Sequence, residues 1–300
     1  MPGQRISILR AHGDHINTVF GSVFYGLLAA TTWGMGDFSG GIATRRANVV
    51  VVMLFSQLVG ISMFTLLALV THEQFPSPRD LAWGAAAGVA GLVGIAALYS
   101  AMALGQMGIV APISGVITAA LPVLAGALMQ GLPNPLNLLG FALALVGVFL
   151  ISRSGDGTAR PVSIVLAVIA GFGFGGFLIL IAQAQHGTVF WPLAAARAAS
   201  ITVSVLGVLG QRAFSRLPRN PLPRNALLPA VLAGVLDSSG NLFFVLSSQA
   251  GRLDVAGVLS SLYPATTVLL ALALLHERLL RSQAVGVLLA LAAIPLISLA

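Results

Sequence analysis

Ala103-Leu104-Gly105-Gln106-Met107-Gly108-Ile109-Val110-Ala111 leads through a proline-containing apolar stretch to Leu139-Gly140 and then Leu150-Ile151-Ser152. The pattern returns 145 residues on, where Ser248-Gln249-Ala250-Gly251-Arg252-Leu253-Asp254-Val255-Ala256 leads to Val285-Gly286 and Leu296-Ile297-Ser298. Working outward, the same shift of 145 pairs Tyr99 with Phe244, Gly94 with Ser239 and Thr118 with Tyr263. A shift of about 140 sets Gln57 against Arg197 and Trp33-Gly34 against Phe172-Gly173. An apolar unit used twice in one chain predicts two membrane halves facing each other across a central path.

Composition points the same way. The 300 residues are 57% hydrophobic and 8% charged, with a mean hydropathy of +0.98. That leaves too little charge for the shell of a soluble core. The net charge of +7 comes from arginines, which lie mostly in short loops between apolar runs. There they meet lipid headgroups, so nucleic acid is not the expected partner. With no cysteine, disulfides and thiolate chemistry are excluded. No His/Asp/Glu cluster has metal-ligand spacing, and no phosphate-binding Gly-rich motif is present, so neither metal nor cofactor is expected.

A membrane helix needs about 20 apolar residues. On that rule residues 1–17 form a polar lead-in and ten spans follow: Thr18–Ile42, Ala47–Val70, Asp80–Leu104, Gly108–Gln130, Leu136–Ser152, Val162–Ala182, Val189–Gln211, Ala226–Gln249, Leu253–Leu275 and Ser282–Leu299. The predicted fold is an all-α membrane protein. Its ten transmembrane helices form two five-helix repeats, 18–152 and 162–299. Because five is odd, the second repeat is inverted. Glycines four apart (Gly36/Gly40, Gly84/Gly88, Gly171/Gly175) read as close helix crossings. Tyr263-Pro264 and Leu121-Pro122 read as breaks in two related helices.

Ionisable groups within a span are costly and are candidates for function. Asp237 stands at the centre of its span, and Arg197 lies at comparable depth in the neighbouring one, so the two are expected to pair. Asp37, nearer a span end, is expected either to pair with Arg45 and Arg46 or to face the path. Trp33, Gln57, Tyr99, Asp237, Asn241 and Tyr263 are the candidate substrate contacts, and Asp237, Arg197 and Asp37 the candidates for coupling or ion pairing. Phe172, matched to Trp33, is a candidate for an aromatic wall. If export is driven by protons, Asp237 is the expected carrier, with Arg197 setting its acidity.

Ala30-Thr31-Thr32-Trp33-Gly34, Tyr99-Ser100-Ala101-Met102-Ala103-Leu104 with Val110-Ala111-Pro112, and Tyr263-Pro264 followed by Leu275-His276-Glu277-Arg278-Leu279 and Gln283-Ala284-Val285-Gly286 carry a resemblance. Together they resemble the EamA-type transporters of the drug/metabolite transporter superfamily, from about Val19 to Leu299. The resemblance implies ten helices around a central substrate cavity in the plasma membrane. It further implies export of amino acids, related metabolites or drug-like compounds, by a monomer or homodimer. It gives Glu277 a structural role and matches Arg197 to an arginine of the family's seventh helix. The first half departs from it: Gln130-Gly131-Leu132-Pro133 stands where a Glu-Arg pair is expected.

Two arguments on orientation conflict. With the N-terminus inside, four arginines fall in inner segments and ten in outer ones, which favours termini outside. The family topology has both termini in the cytoplasm. Two other functions compete with a transporter. Gly34-Met35-Gly36-Asp37 matches a string of intramembrane aspartyl proteases, with Asp237 as second carboxylate, although the tyrosine expected before Asp237 is replaced by Leu236. A passive channel would need a polar stripe along several spans, which the chain lacks.

Overall fold

The computed structural model describes residues 2–103, 107–152, 161–184, 187–210, 222–275 and 280–298. The side chains of residues 1–19 and of Tyr99, and all of positions 276–279 with Glu277, lie outside the described residues, as do the arginine-bearing segments 153–160 and 211–221. The described residues are helical with no strand. The elements are α1 (Pro2–Thr44), α2 (Val49–Val70), α3 (Pro78–Ala103), α4 (Met107–Gln130), α5 (Pro135–Ser152), α6 (Pro161–Ala182), α7 (Phe190–Gly210), α8 (Arg224–Ala250), α9 (Leu253–Ser260), α10 (Tyr263–Leu275) and α11 (Arg281–Ser298). Among the described residues eight helical segments are long and apolar enough to cross a membrane, with α9 and α10 counted together as Leu253–Leu274. α7 offers a shorter apolar run, Phe190–Leu206. The residues read as a polar lead-in are helical from Pro2 and continuous with the first apolar run.

Local chemistry sets the helix starts. Proline at the first helical position loses no hydrogen bond, because that N–H is unpaired in any helix. Pro78, Pro135 and Pro161 begin α3, α5 and α6. Before α3 the Ser77 hydroxyl accepts from the Asp80 N–H (3.2 Å) and donates to the Asp80 carboxylate (2.6 Å), a reciprocal cap. Asn134 caps α5 by accepting from the Asn137 N–H at 2.8 Å.

The two prolines expected to break related helices behave differently. The ninth span is interrupted at Ser261-Leu262, and Pro264 sits in the first turn of α10. Its ring and missing N–H bar the turn that would join α9 to α10. Pro122, in contrast, lies within an uninterrupted α4, which corrects the sequence expectation. It packs against Gly257 of α9, where any Cβ would collide with the proline ring.

Packing repeats with exchanged partners. α1 lies along α8 as α6 lies along α3; α4 crosses α6 as α9 and α10 cross α1. α5 packs on α11 and α2 on α7, each helix meeting its own counterpart. The glycines set the closest crossings. A side chain at Gly84 or Gly88 would run into the backbone of Pro192 or Ala196, so α3 and α7 touch backbone to backbone. Gly171 and Gly175 instead receive the side chains of Ile117 and Leu121 of α4.

Polar contacts fasten the loops at both ends. The Glu73 carboxylate, just beyond α2, accepts the N–H groups of Val189, Phe190 (3.0 Å) and Trp191 (3.1 Å). An anion there satisfies the orphan donors and complements the positive end of the α7 dipole. At the α8–α9 turn, Arg252 pairs with the fully buried Asp254 (2.7 Å) and donates to the Gly131 carbonyl (2.7 Å). At the opposite end, Arg46 donates to the Asn225 carbonyl (2.7 Å) and Gln283 to that of Ile151 (3.3 Å).

Candidate functional site

Four helices bring a polar cluster together at mid-depth. α1 and α8 run antiparallel, with Ser22 bonded to Ser247 near one end and Arg46 to Asn225 at the other. Between these, Gly36 packs against the Asp237 backbone and Gly40 against Ala233. This register sets Asp37 level with Asp237, the central residue of α8. α2 and α7 close the opposite side.

Arg197 organises the cluster. One terminal nitrogen, Nη1, donates to Gln57 Oε1 at 2.7 Å. The other, Nη2, forms an ion pair with Asp237 Oδ2 and reaches Ser238 Oγ at 3.5 Å. Gly60 leaves the room: a Cβ there would meet Ser238 Oγ at 2.5 Å and Arg197 Nε at 3.2 Å. The guanidinium side chain is 13% exposed, whereas that of Asp237 is 46% exposed. The arginine is therefore packed behind the carboxylate, and the carboxylate borders open space. Since 57 and 197 are matched positions of the two halves, their bond lies where α2 meets its own counterpart.

The expected Arg197–Asp237 pair thus forms. Of the two alternatives for Asp37, only the pairing needs correction. It is not engaged with Arg45 or Arg46, whose side chains lie toward the far end of α1 and α8; Arg46 is spent on Asn225. Asp37 is exposed and, among the described residues, has no ion pair or hydrogen bond. It stands near both Asp237 and Tyr263.

Aromatic rings line the same region. Trp33 stacks on Phe244 (centroids 6.1 Å apart) and meets Tyr263 edge-on (6.3 Å, 83°). Its indole N–H donates to the Asp237 carbonyl at 3.2 Å, and its ring lies over Gly240, where no side chain fits. Tyr263 begins α10 immediately after the break, and Thr267, one turn on, donates to the Gly34 carbonyl (3.1 Å). Asn241 is buried one turn from Asp237, with no hydrogen bond to the cluster among the described residues. Phe172 does not join this wall: it is 57% exposed on α6, and Phe174 packs on Gly94 instead.

The structure therefore gathers Trp33, Asp37, Gln57, Arg197, Asp237 and Tyr263. Sequence reasoning missed Gly60 as the space for Arg197, Phe244 as the support of Trp33, and the Glu73 cap. Two surface hollows, of about 340 and 480 Å³, run along the outer face of α2 between Phe55 and Leu69 and contain none of the site residues. They are shallow apolar grooves on a lipid-facing helix. The polar cluster, by contrast, lies between helices.

The sequence model of the EamA-like transporter family matches residues 21–153 and again 161–299. A solved crystal structure shares the fold, with a TM-score of 0.76 over 93% of this chain and 96% of that one, at 17% identity. Among curated proteins none matches significantly.

Proposed function

The chain belongs to the EamA-like transporter family, and we propose that it is a secondary transporter exporting small metabolites, amino acids or compounds related to them, across the plasma membrane. In this reading the chain crosses the membrane ten times, in inverted repeats spanning 18–152 and 162–299 after a lead-in of residues 1–17. Both termini are cytoplasmic, against the arginine count. Because the chain has no cysteine, labelling of single introduced cysteines from either side tests that orientation directly.

One observation carries the proposal: Arg197 holds a half-exposed Asp237 at the middle of α8. A simple fastener would bury both partners, because an ion pair in apolar surroundings is stabilising only when fully bonded. Here one partner is kept accessible. Trp33, Gln57, Tyr99, Asp237, Asn241 and Tyr263 line the substrate path, and rocking of the two halves exposes it to each side in turn. Asp37 and Asp237 are the groups able to carry a coupling proton, the second of them held in place by Arg197. The rival protease reading requires two carboxylates sharing a proton; here the second is committed to an arginine.

The test is export from proteoliposomes of the purified protein, driven by an imposed proton gradient and followed for amino acids and related metabolites. Flux that depends on the gradient and disappears in Asp237→Asn supports the reading. Unchanged gradient-driven flux in that variant removes Asp237 from the mechanism.

A further inference from the structure

The midplane cluster has unbalanced charge. Asp37 and Asp237 are acidic and Arg197 is the one base that faces them among the described residues. Arg197 has little left to offer a ligand: Gln57, Asp237 and Ser238 take its terminal nitrogens, its Nε lies over Gly60, and its side chain is 13% exposed. On the acidic side, Asp37 is exposed and unbonded, and Asp237 bonds through Oδ2 while Oδ1 has no partner among the described residues. A second observation comes from α8. Asn241 is only 7% exposed, yet its amide has no hydrogen-bond partner among the described residues. It stands one turn from Asp237 on the same helical face. Beside these groups the rings of Trp33 and Tyr263 meet at 83°.

We infer that this site selects organic cations: a primary ammonium group seated between Asp37 and Asp237, its carbon skeleton against Trp33 and Tyr263, and the Asn241 amide oxygen accepting a remaining N–H. This rests on the transporter reading above and narrows its substrate class. An uncompensated carboxylate at mid-membrane depth is costly, and an ammonium supplies the missing charge. Its three donors match the three free acceptors, and the aromatic faces stabilise a cation that has shed its water. A carboxylate-bearing ligand meets the opposite situation. Two acidic groups repel it, and the arginine that would neutralise it is already occupied.

A matched series separates these cases: phenethylamine, phenylalanine and 3-phenylpropionate, which share one ring and differ in charge. Thermal unfolding of the full-length purified protein should rise by roughly 5 °C with phenethylamine at about 100 times its dissociation constant. The rise should be smaller with phenylalanine and absent with 3-phenylpropionate. Asp37→Asn should abolish the phenethylamine effect while its ligand-free unfolding temperature stays within about 2 °C of wild type, since Asp37 holds nothing in place. No rise with phenethylamine, an equal rise with 3-phenylpropionate, or an amine effect that survives in Asp37→Asn would each overturn the inference. Counterflow of the three radiolabelled compounds in proteoliposomes separates the two levels of claim. Transport of phenylalanine or 3-phenylpropionate without phenethylamine overturns cation selection and keeps the transporter, whereas absence of counterflow for all three counts against both.

Discussion

The two halves of this chain share a backbone plan and differ in chemistry where it matters. Gln57 of the first half matches Arg197 of the second, and Leu92 occupies the position matched to Asp237. The α1–α8 crossing holds Trp33, Asp37, Asp237 and Asn241, while its counterpart, α6 on α3, is built from Phe174 on Gly94 with Phe172 facing outward. α4 runs through its proline unbroken, and its counterpart is split into α9 and α10. Duplication supplied a symmetric frame, and substitution in one copy turned one crossing into a polar site and left the other as packing. Transport across a symmetric frame needs two equivalent ways of opening, but it needs only one set of charges.

The largest expected effect comes from the frame itself. Gly88→Val drives a side chain into the Ala196 carbonyl and should destabilise by about 3 kcal/mol, the upper end for overpacking. Gly234→Val, at the related α8–α2 crossing, meets the Val59 Cβ at 2.8 Å and the Ser56 carbonyl at 2.9 Å, a looser approach than the 2.0 Å at Gly88, and should cost about half as much. Equal losses, read from denaturant midpoints, would show that the two crossings are equally tight.

Next is the aromatic contrast. Trp33→Ala removes two ring contacts and a hydrogen bond and should cost about 3 kcal/mol or somewhat less, since the ring is only half buried. Phe172→Ala, at the matched position of the other half, should stay within about 0.5 kcal/mol. A large loss from Phe172→Ala would break the comparison.

The charged pair ranks third for stability. Asp237→Asn or Arg197→Gln alone should cost about 2 kcal/mol, below the roughly 3–5 kcal/mol for a fully buried pair, because Asp237 is half exposed. Gln57→Ala, the neutral counterpart of Arg197, should cost about 1 kcal/mol, the value of one hydrogen bond. The smallest effect concerns the cap that the first half supplies to the second. Glu73→Gln keeps the shape, loses the charge at the start of α7, and should lower stability by about 1 kcal/mol, more at low salt than at high.

Much of this was legible in the sequence. The limits of α5 followed from an apolar run of membrane length and from the Asn134-Pro135 pair that starts it. The pairing of Arg197 with Asp237 followed from two mid-span charges at one depth. The placement of Asp37 did not, because it depends on how far α1 slides along α8, and that register is set where Gly36 meets the Asp237 backbone and Gly40 the Ala233 side chain. Pro122 and Pro264 read alike as residues, yet Pro122 lies within α4 whereas Pro264 follows the break between α9 and α10. The Glu73 cap joins loop residues 116 apart, a distance over which no local pattern carries information.

The central claim is that the arginine–aspartate pair serves transport and does more than fasten α7 to α8. It is tested most directly by substrate export from proteoliposomes containing the double variant Asp237→Asn/Arg197→Gln, with its unfolding temperature measured alongside. The double variant should unfold closer to wild type than either single variant, because no charge is left unpaired, and its flux should fall at least about tenfold. A double variant that exports at the wild-type rate would contradict the account and leave the pair as a fastener.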